Sequence, residues 1–216
     1  MSIQYDFHLH SDFSGDSETP SEDMICRGEA LGMRGMCFTE HLDIDAPANG
    51  PDFTLHFWRA MDPYEPWYFD GRNDRDCYDE FFLKEYEMLQ IFAPKDYDTL
   101  GHMDYVVRYG PNRNRNYSYK AYADFIDPIL RFLIEHGKCL ELNTGGIKYG
   151  LGEPNPCTDV FRRYRELGGE LVTVGSDAHE PKHLGYAFDQ AAEILTSIGF
   201  RYYMIFEQRK GRAVRF

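Results

Sequence analysis

Tyr5-Asp6-Phe7-His8-Leu9-His10 is a short apolar run that ends in two imidazoles one residue apart. On a strand, residues i and i+2 point to the same side, so His8 and His10 present their rings together at the strand's C-terminal end. Thr19-Pro20-Ser21-Glu22 follows with capping-box spacing and a proline at the first helical position. The spacing predicts a helix from there to about Leu31, closed by Gly32. Met36-Cys37-Phe38-Thr39 reads as a second strand. An apolar run ending in polar residues, then a stretch of helical period, is the order expected of α/β architecture.

The same order continues downstream. Tyr78, Phe81, Phe82, Tyr86, Leu89 and Phe92 recur at helical spacing, as do Tyr122, Phe125, Ile126, Ile129, Leu130 and Leu133. Both stripes are read as core faces rather than cofactor-binding surfaces. Strands are expected at Thr99–Gly101, Cys139–Leu142, Leu171–Val174 and Tyr202–Phe206, and helices near Asp159–Leu167 and Tyr186–Ile198. No internal repeat or low-complexity linker interrupts the chain. From Asp43 to Asp76, however, a segment rich in Pro, Asp and aromatic residues shows no period. An irregular stretch of that length in a compact domain is functional or marks something missing.

With 216 residues, 43% hydrophobic and 16% aromatic, the chain is long enough to bury one substantial core, and residues 1–216 are read as a single domain. A formal charge of −13 repels a phosphate backbone, and only the short Arg209-Lys210-Gly211-Arg212 tail opposes it, so nucleic acid is disfavoured as a partner. A small phosphorylated metabolite stays compatible with that charge, because bound cations reverse the local sign of an acidic pocket. The N-terminus lacks a basic and apolar leader, and no run of roughly 18 apolar residues occurs, so a cytoplasmic protein outside the membrane is expected. Five scattered cysteines with no C-x-x-C pair read as reduced thiols.

Three more clusters of imidazole and carboxylate follow apolar runs: Glu40-His41, His102-x-Asp104 and Ser176-Asp177-Ala178-His179. Each alone reads as a solvated polar turn. An α/β barrel brings its C-terminal strand ends to one face, and there four such clusters favour a metal site over coincidence. Mixed imidazole and carboxylate ligands suit zinc, manganese or iron better than calcium or magnesium, and no thiolate site is indicated. Asp16 reads equally well as a ligand or as a turn or helix-start acid. His56 and His136 are taken as structural or surface residues, and His183 is left undecided.

His8-x-His10, Thr39-Glu40-His41, Gly101-His102-Met103-Asp104 and Gly175-Ser176-Asp177-Ala178-His179, in this order, resemble the polymerase and histidinol phosphatase (PHP) superfamily. Asp104-Tyr105-Val106-Val107-Arg108-Tyr109-Gly110, Glu141-Leu142-Asn143-Thr144-Gly145-Gly146 and the late Gly199-Phe200-Arg201-Tyr202-Tyr203 look like its histidinol-phosphatase branch. The resemblance implies a distorted, TIM-like seven-stranded barrel with up to three divalent metals at its C-terminal face. It implies that His8, His10 and Asp177 share one metal, that Asp16, His41 and His179 serve a second, and that His102 serves a third. Arg108 and Lys148 align with positions expected to meet the substrate phosphate, with Glu141 on the same substrate side, while Glu40 stands behind the ligands. Asp177, His179 and Arg108 are the expected catalytic residues. The implied reaction is hydrolysis of L-histidinol phosphate in histidine biosynthesis, by a water that the metals acidify.

The chain departs from the family pattern in one respect. Two further strands, one ending in a Gly-Ile-Glu motif with a bridging Glu and the other in a Ser-x-His motif, are not found. The apparent join falls near 57–61, and the loss is on the order of fifty residues against a barrel of roughly 200–250. An incomplete barrel that holds one or two metals is therefore expected, with self-association through exposed edges as an added expectation. Another small-molecule phosphoesterase, or a non-catalytic metal-binding remnant, is the alternative.

Overall fold

The computed structural model describes residues 3–41, 63, 66–91 and 97–216. The proposed join at 57–61, His56 and Phe92 lie outside the described residues. Strand β1 (Tyr5–Leu9) leads into helix α1 (Ser21–Ala30) and strand β2 (Gly35–Phe38), which runs parallel to β1. A long helix α2 (Asp74–Ile91) precedes the short strand β3 (Thr99–Leu100). Helix α3 (Ala123–Glu135), strand β4 (Cys139–Asn143), the single turn α4 (Gly145–Lys148), helix α5 (Thr158–Glu166) and strand β5 (Val172–Gly175) follow. Helix α6 (Phe188–Ile198) then leads to the hairpin β6 (Tyr202–Glu207) and β7 (Lys210–Arg215).

Strands β3, β4 and β5 form a parallel sheet, with Leu142 beside Val174 and Asn143 beside Gly175. Past Gly175 the chain turns onto β1: Asp177 N donates to His8 O at 2.8 Å and His10 N to Ala178 O at 2.8 Å, bridging Leu9 and Ala178 in parallel. The strands therefore stand as an arc in the order β2, β1, β5, β4, β3. Among the described residues the arc does not close, and what is present is a mixed α/β fold of small sheets.

Local chemistry sets where strands begin. After α3, Gly137 takes φ +62° and Lys138 N returns to Leu133 O at 2.8 Å, and after α6, Gly199 takes φ +104° and Phe200 N returns to Leu195 O at 3.0 Å. This left-handed glycine stop releases the chain straight into β4 and β6. At the start of α1 the expected capping box does not form. Pro20 sits just before the helix, and the Thr19 hydroxyl donates instead to His179 O at 2.8 Å.

Both aromatic stripes are core faces, as their period implies. Tyr78, Phe82 and Leu89 of α2 pack with Ile126, Ile129, Leu130 and Leu133 of α3, all nearly inaccessible to water. Burying each such side chain contributes about 1.5–3 kcal/mol. The basic tail is a strand rather than a free end: Gln208 and Arg209 adopt φ +49° and +60°, the geometry of a tight hairpin turn, and pair β7 antiparallel with β6. All five cysteines are free thiols. Among the described residues no helix is long and apolar enough to cross a membrane.

Candidate metal centre

The site forms where β1 and β5 end side by side. Asp6, buried beneath it, accepts Ser176 N at 2.9 Å, Ser176 Oγ at 2.5 Å and Gly185 N at 3.0 Å, locking the chain after β5 against β1. Burial pushes the Asp6 carboxyl up to about 6 against these donors, which favour the charged form. Asp177 then turns with φ +55°, and His102, after β3, with φ +23°. Non-glycine residues rarely hold such backbone angles, and both of these carry a candidate ligand.

Two groups of ligand atoms lie within 4.8 Å of one another: His8, His10 and Asp177, and His10, His41 and His179. Asp177 Oδ1 is 3.6 Å from His8 Nε2, 3.4 Å from His10 Nε2 and 3.8 Å from His179 Nδ1. The His10 ring lies flat against the rings of His41 and His179, with centroids 4.4 and 4.3 Å apart. Asp16 Oδ2 reaches His179 Nε2 at 2.9 Å and His41 Nε2 at 3.5 Å. Asp16 thus lies beside the rings of His41 and His179.

The donor set fits a divalent ion. His10 Nε2 is buried without a hydrogen-bond partner, a cost that a bound cation would remove. His8 gives its Nδ1 to Glu141 Oε1 at 2.7 Å, which leaves Nε2 facing the cluster. A carboxylate behind an imidazole is the usual support for a metal-ligating histidine. Burial, reinforced for His102 by the charge on His8, pushes His102 down to about 3, and burial also lowers His10; both shifts favour the neutral ring that a ligand needs. His8 behaves oppositely: burial lowers it, but Glu141 and Asp177 outweigh that and raise it to about 9. Burial also opposes the charge on Asp177 and Asp16, yet neighbouring imidazoles hold both carboxyls below their usual range.

Of the sequence-derived ligands, His8, His10, Asp16, His41, Asp177 and His179 converge. His102 stands at the edge, its ring 5.2 Å from that of His8 and 4.7 Å from that of Tyr105, and it belongs to neither three-ligand group. Glu40 accepts the hydroxyls of Ser11 and Ser14 and the Ser11 amide, pinning the loop after β1 from behind the ligands. Two residues expected on the substrate side bond within the protein. Glu141 is 1% exposed, with Oε2 taken by His102 N at 2.8 Å and Asn143 Nδ2 at 3.1 Å, so it supports His8 and the His102 backbone. Arg108 is turned inward, donating to Asp177, Asn143 and Asn155. Lys148 stays within reach of the cluster, with Nζ on Asp177 O at 2.6 Å and its ammonium lowered to about 8 by burial.

His136 caps its own helix, with Nδ1 on Phe132 O at 2.9 Å, in keeping with a surface role. His183 packs edge-on to Tyr186, outside both ligand groups. The sequence assigns no role to Asn143 or Asn155. Asn143 stands two residues after Glu141 on one strand, the same spacing as His8 and His10, and that signal was present; nothing local marks Asn155.

The PHP domain profile matches residues 6–65. A probable histidinol-phosphatase of Thermotoga maritima is 30% identical over 223 aligned positions, covering 91% of this chain and 93% of that protein. A probable histidinol-phosphatase of Clostridium acetobutylicum is 26% identical over 257 positions, covering 95% and 97%. The crystal structure of histidinol phosphate phosphatase from Lactococcus lactis subsp. lactis, complexed with zinc, L-histidinol and phosphate, superposes with a TM-score of 0.79 at 24% identity, covering 97% of this chain and 99% of that one.

Proposed function

The chain belongs to the histidinol-phosphatase branch of the PHP superfamily, and from that membership we propose that it is a metal-dependent phosphomonoesterase that hydrolyses L-histidinol phosphate to L-histidinol and phosphate. The observation that carries this reading is the convergence of His8, His10, His41, Asp177 and His179 around the orphaned His10 Nε2. His8, His10 and Asp177 would hold one ion, and Asp16, His41 and His179 would hold a second, with His102 at the rim. Zinc, manganese or iron suits these donors.

When bound, the ions supply Lewis acidity, acidifying a water and drawing charge from the phosphoryl oxygens. The chain's own residues do the rest. Glu141 fixes the His8 ring so that Nε2 faces inward. Lys148, half-buried beside Asp177, offers a cation to a phosphate that enters above the cluster. Asp16 sets the rings of His41 and His179 from the solvent side.

Residues 1–216 form one PHP-like domain in this reading, and the arc is a barrel short of two strands. An alignment of 257 positions that uses 95% of 216 residues leaves roughly fifty positions of the Clostridium protein facing gaps, and one of 223 positions that uses 91% leaves roughly half as many for the Thermotoga protein, which supports a chain shorter than its relatives. Among the described residues β2 and β3 each pair on one side only, and these edges are where a second copy would pair. The partner is a small phosphorylated metabolite and the compartment the cytoplasm.

The test is phosphate release from L-histidinol phosphate with zinc or manganese added, beside a His8→Ala control and a panel of other small phosphate esters. Release well above the control, greatest for histidinol phosphate, is the expected result. Faster release from another ester would assign a different phosphoesterase, and no release above control with metal bound would leave a non-catalytic metal-binding remnant.

A further inference from the structure

Asp6, His8 and His10 recur at the strand period, so the ligand-bearing side of β1 also carries a carboxylate one step back. Asp6 is wholly buried. Four donors meet it: Ser176 N at 2.9 Å and His8 N at 3.3 Å on Oδ1, and Ser176 Oγ at 2.5 Å and Gly185 N at 3.0 Å on Oδ2. Ser176 and Gly185 are the two ends of one segment. Between them stand Asp177 and His179, one from each ligand group, and Leu184, 4% exposed, which packs with Leu9 and Met24. One carboxylate of β1 therefore closes a strap that carries candidate ligands for both ions.

The closure reaches the ligands through the backbone. Asp177 follows Ser176 directly and turns at φ +55°, a conformation that persists in a non-glycine residue only where its surroundings over-determine it. Here they do: Ser176 N and Oγ are held by Asp6, Asp177 N by His8 O, and Ala178 O by His10 N. A carboxylate offers acceptors only, which is what four converging donors require; an amide in its place would turn one oxygen into a donor. We propose that Asp6 is a positioning residue of the metal centre: by tying Ser176 and Gly185 to β1 it sets the turn at Asp177 and the place of His179, and so holds ligands of both ions against His8 and His10. This inference rests on the metal-centre reading above.

Asp6→Asn keeps the size and loses the acceptors of one oxygen; Ser176→Ala removes only the hydroxyl donor. Gly137→Ala is the control, since its φ of +62° strains a side chain in open space just before β4, away from the ligands. For all three, the zinc dissociation constant is measured by chelator competition, the visible spectrum of the cobalt-substituted protein is recorded, and melting of the metal-free protein is followed. Zinc bound about tenfold more weakly in Ser176→Ala and up to about 100-fold more weakly in Asp6→Asn, the range for groups that stand behind ligands, with a shifted cobalt spectrum, is expected. Gly137→Ala should melt earlier and keep wild-type affinity. Zinc affinity and cobalt spectrum unchanged in Ser176→Ala and Asp6→Asn would overturn the proposal, however far their melting falls, and so would an equal loss of zinc in Gly137→Ala. If Asp6→Asn does not fold, Ser176→Ala carries the test alone. Wild-type protein that binds no zinc would instead sink the metal-centre reading, and the proposal with it.

Discussion

Gly175→Ala tests how closely β5 must pass the site. A methyl group at Gly175 would collide with His8 Cβ and with Glu141 Oε1, the two members of the buried His8–Glu141 pair. Neither neighbour is the loose end of a flexible side chain: Glu141 is 1% exposed with both oxygens bonded, and His8 belongs to β1. Overpacking of this kind costs about 1–3 kcal/mol. For a chain of this size that corresponds to a fall of roughly 2–12 °C in melting temperature. The collision also pushes His8 Nε2 off its line to Asp177, so zinc affinity should fall together with stability. Gly101→Ala is the internal control. Its Cβ would lie 3.4 Å from Glu141 Oε2 and 3.5 Å from His8 Cε1, ordinary contact with the same two residues. Thermal melting and chelator competition on both variants decide the matter. If Gly175→Ala melts and binds zinc as wild type does, or Gly101→Ala suffers equally, close approach of β5 is not what positions His8.

Glu141→Gln keeps the shape behind His8 but removes the charge that stabilises its Nδ1–H, and zinc should bind roughly 10–100-fold more weakly; affinity within about twofold of wild type would show that the carboxylate is dispensable. Glu85, buried in α2 with Oε2 unpartnered, has its carboxyl pushed well above 4.5 by burial and by the charge on Asp104. The folded state holds that proton more tightly than the unfolded chain, so stability falls as pH rises past about 4.5, by ~1.4 kcal/mol for each unit of displacement. Glu85→Gln should remove that part of the fall, read as urea midpoints at pH 5 and pH 8, and parallel falls in both proteins would refute the assignment.

What was legible in the sequence follows from which forces are local. The pair His8 and His10 shows in the text because strand alternation needs only neighbours, and α2 and α3 show because their apolar period is long and regular. The capping box at Thr19 failed because its hydroxyl found His179 O, 160 residues away, a competitor no local pattern reveals. Strand β7 was hidden for a related reason: Lys210, Arg212 and Arg215 give it no apolar alternation, and only pairing with β6 makes it a strand. Proximity to the site could be read for Arg108, but the direction of its fork could not. Acceptors on β4 and on the segment before α5 decide that.

The union of β1 with the chain after β5 also has a consequence for biosynthesis. Asp6 and Ser176 meet although 170 residues separate them. At ~5–20 residues per second a ribosome takes roughly 9–34 s to cover that distance. Throughout that interval His8 and His10 exist without Asp177, so loading of an ion would belong to the finished chain and compete with any other ligand for metal at that moment. Nascent chains stalled before Val172 should retain no zinc after dialysis, and retention at the wild-type level would show that the N-terminal histidines charge early.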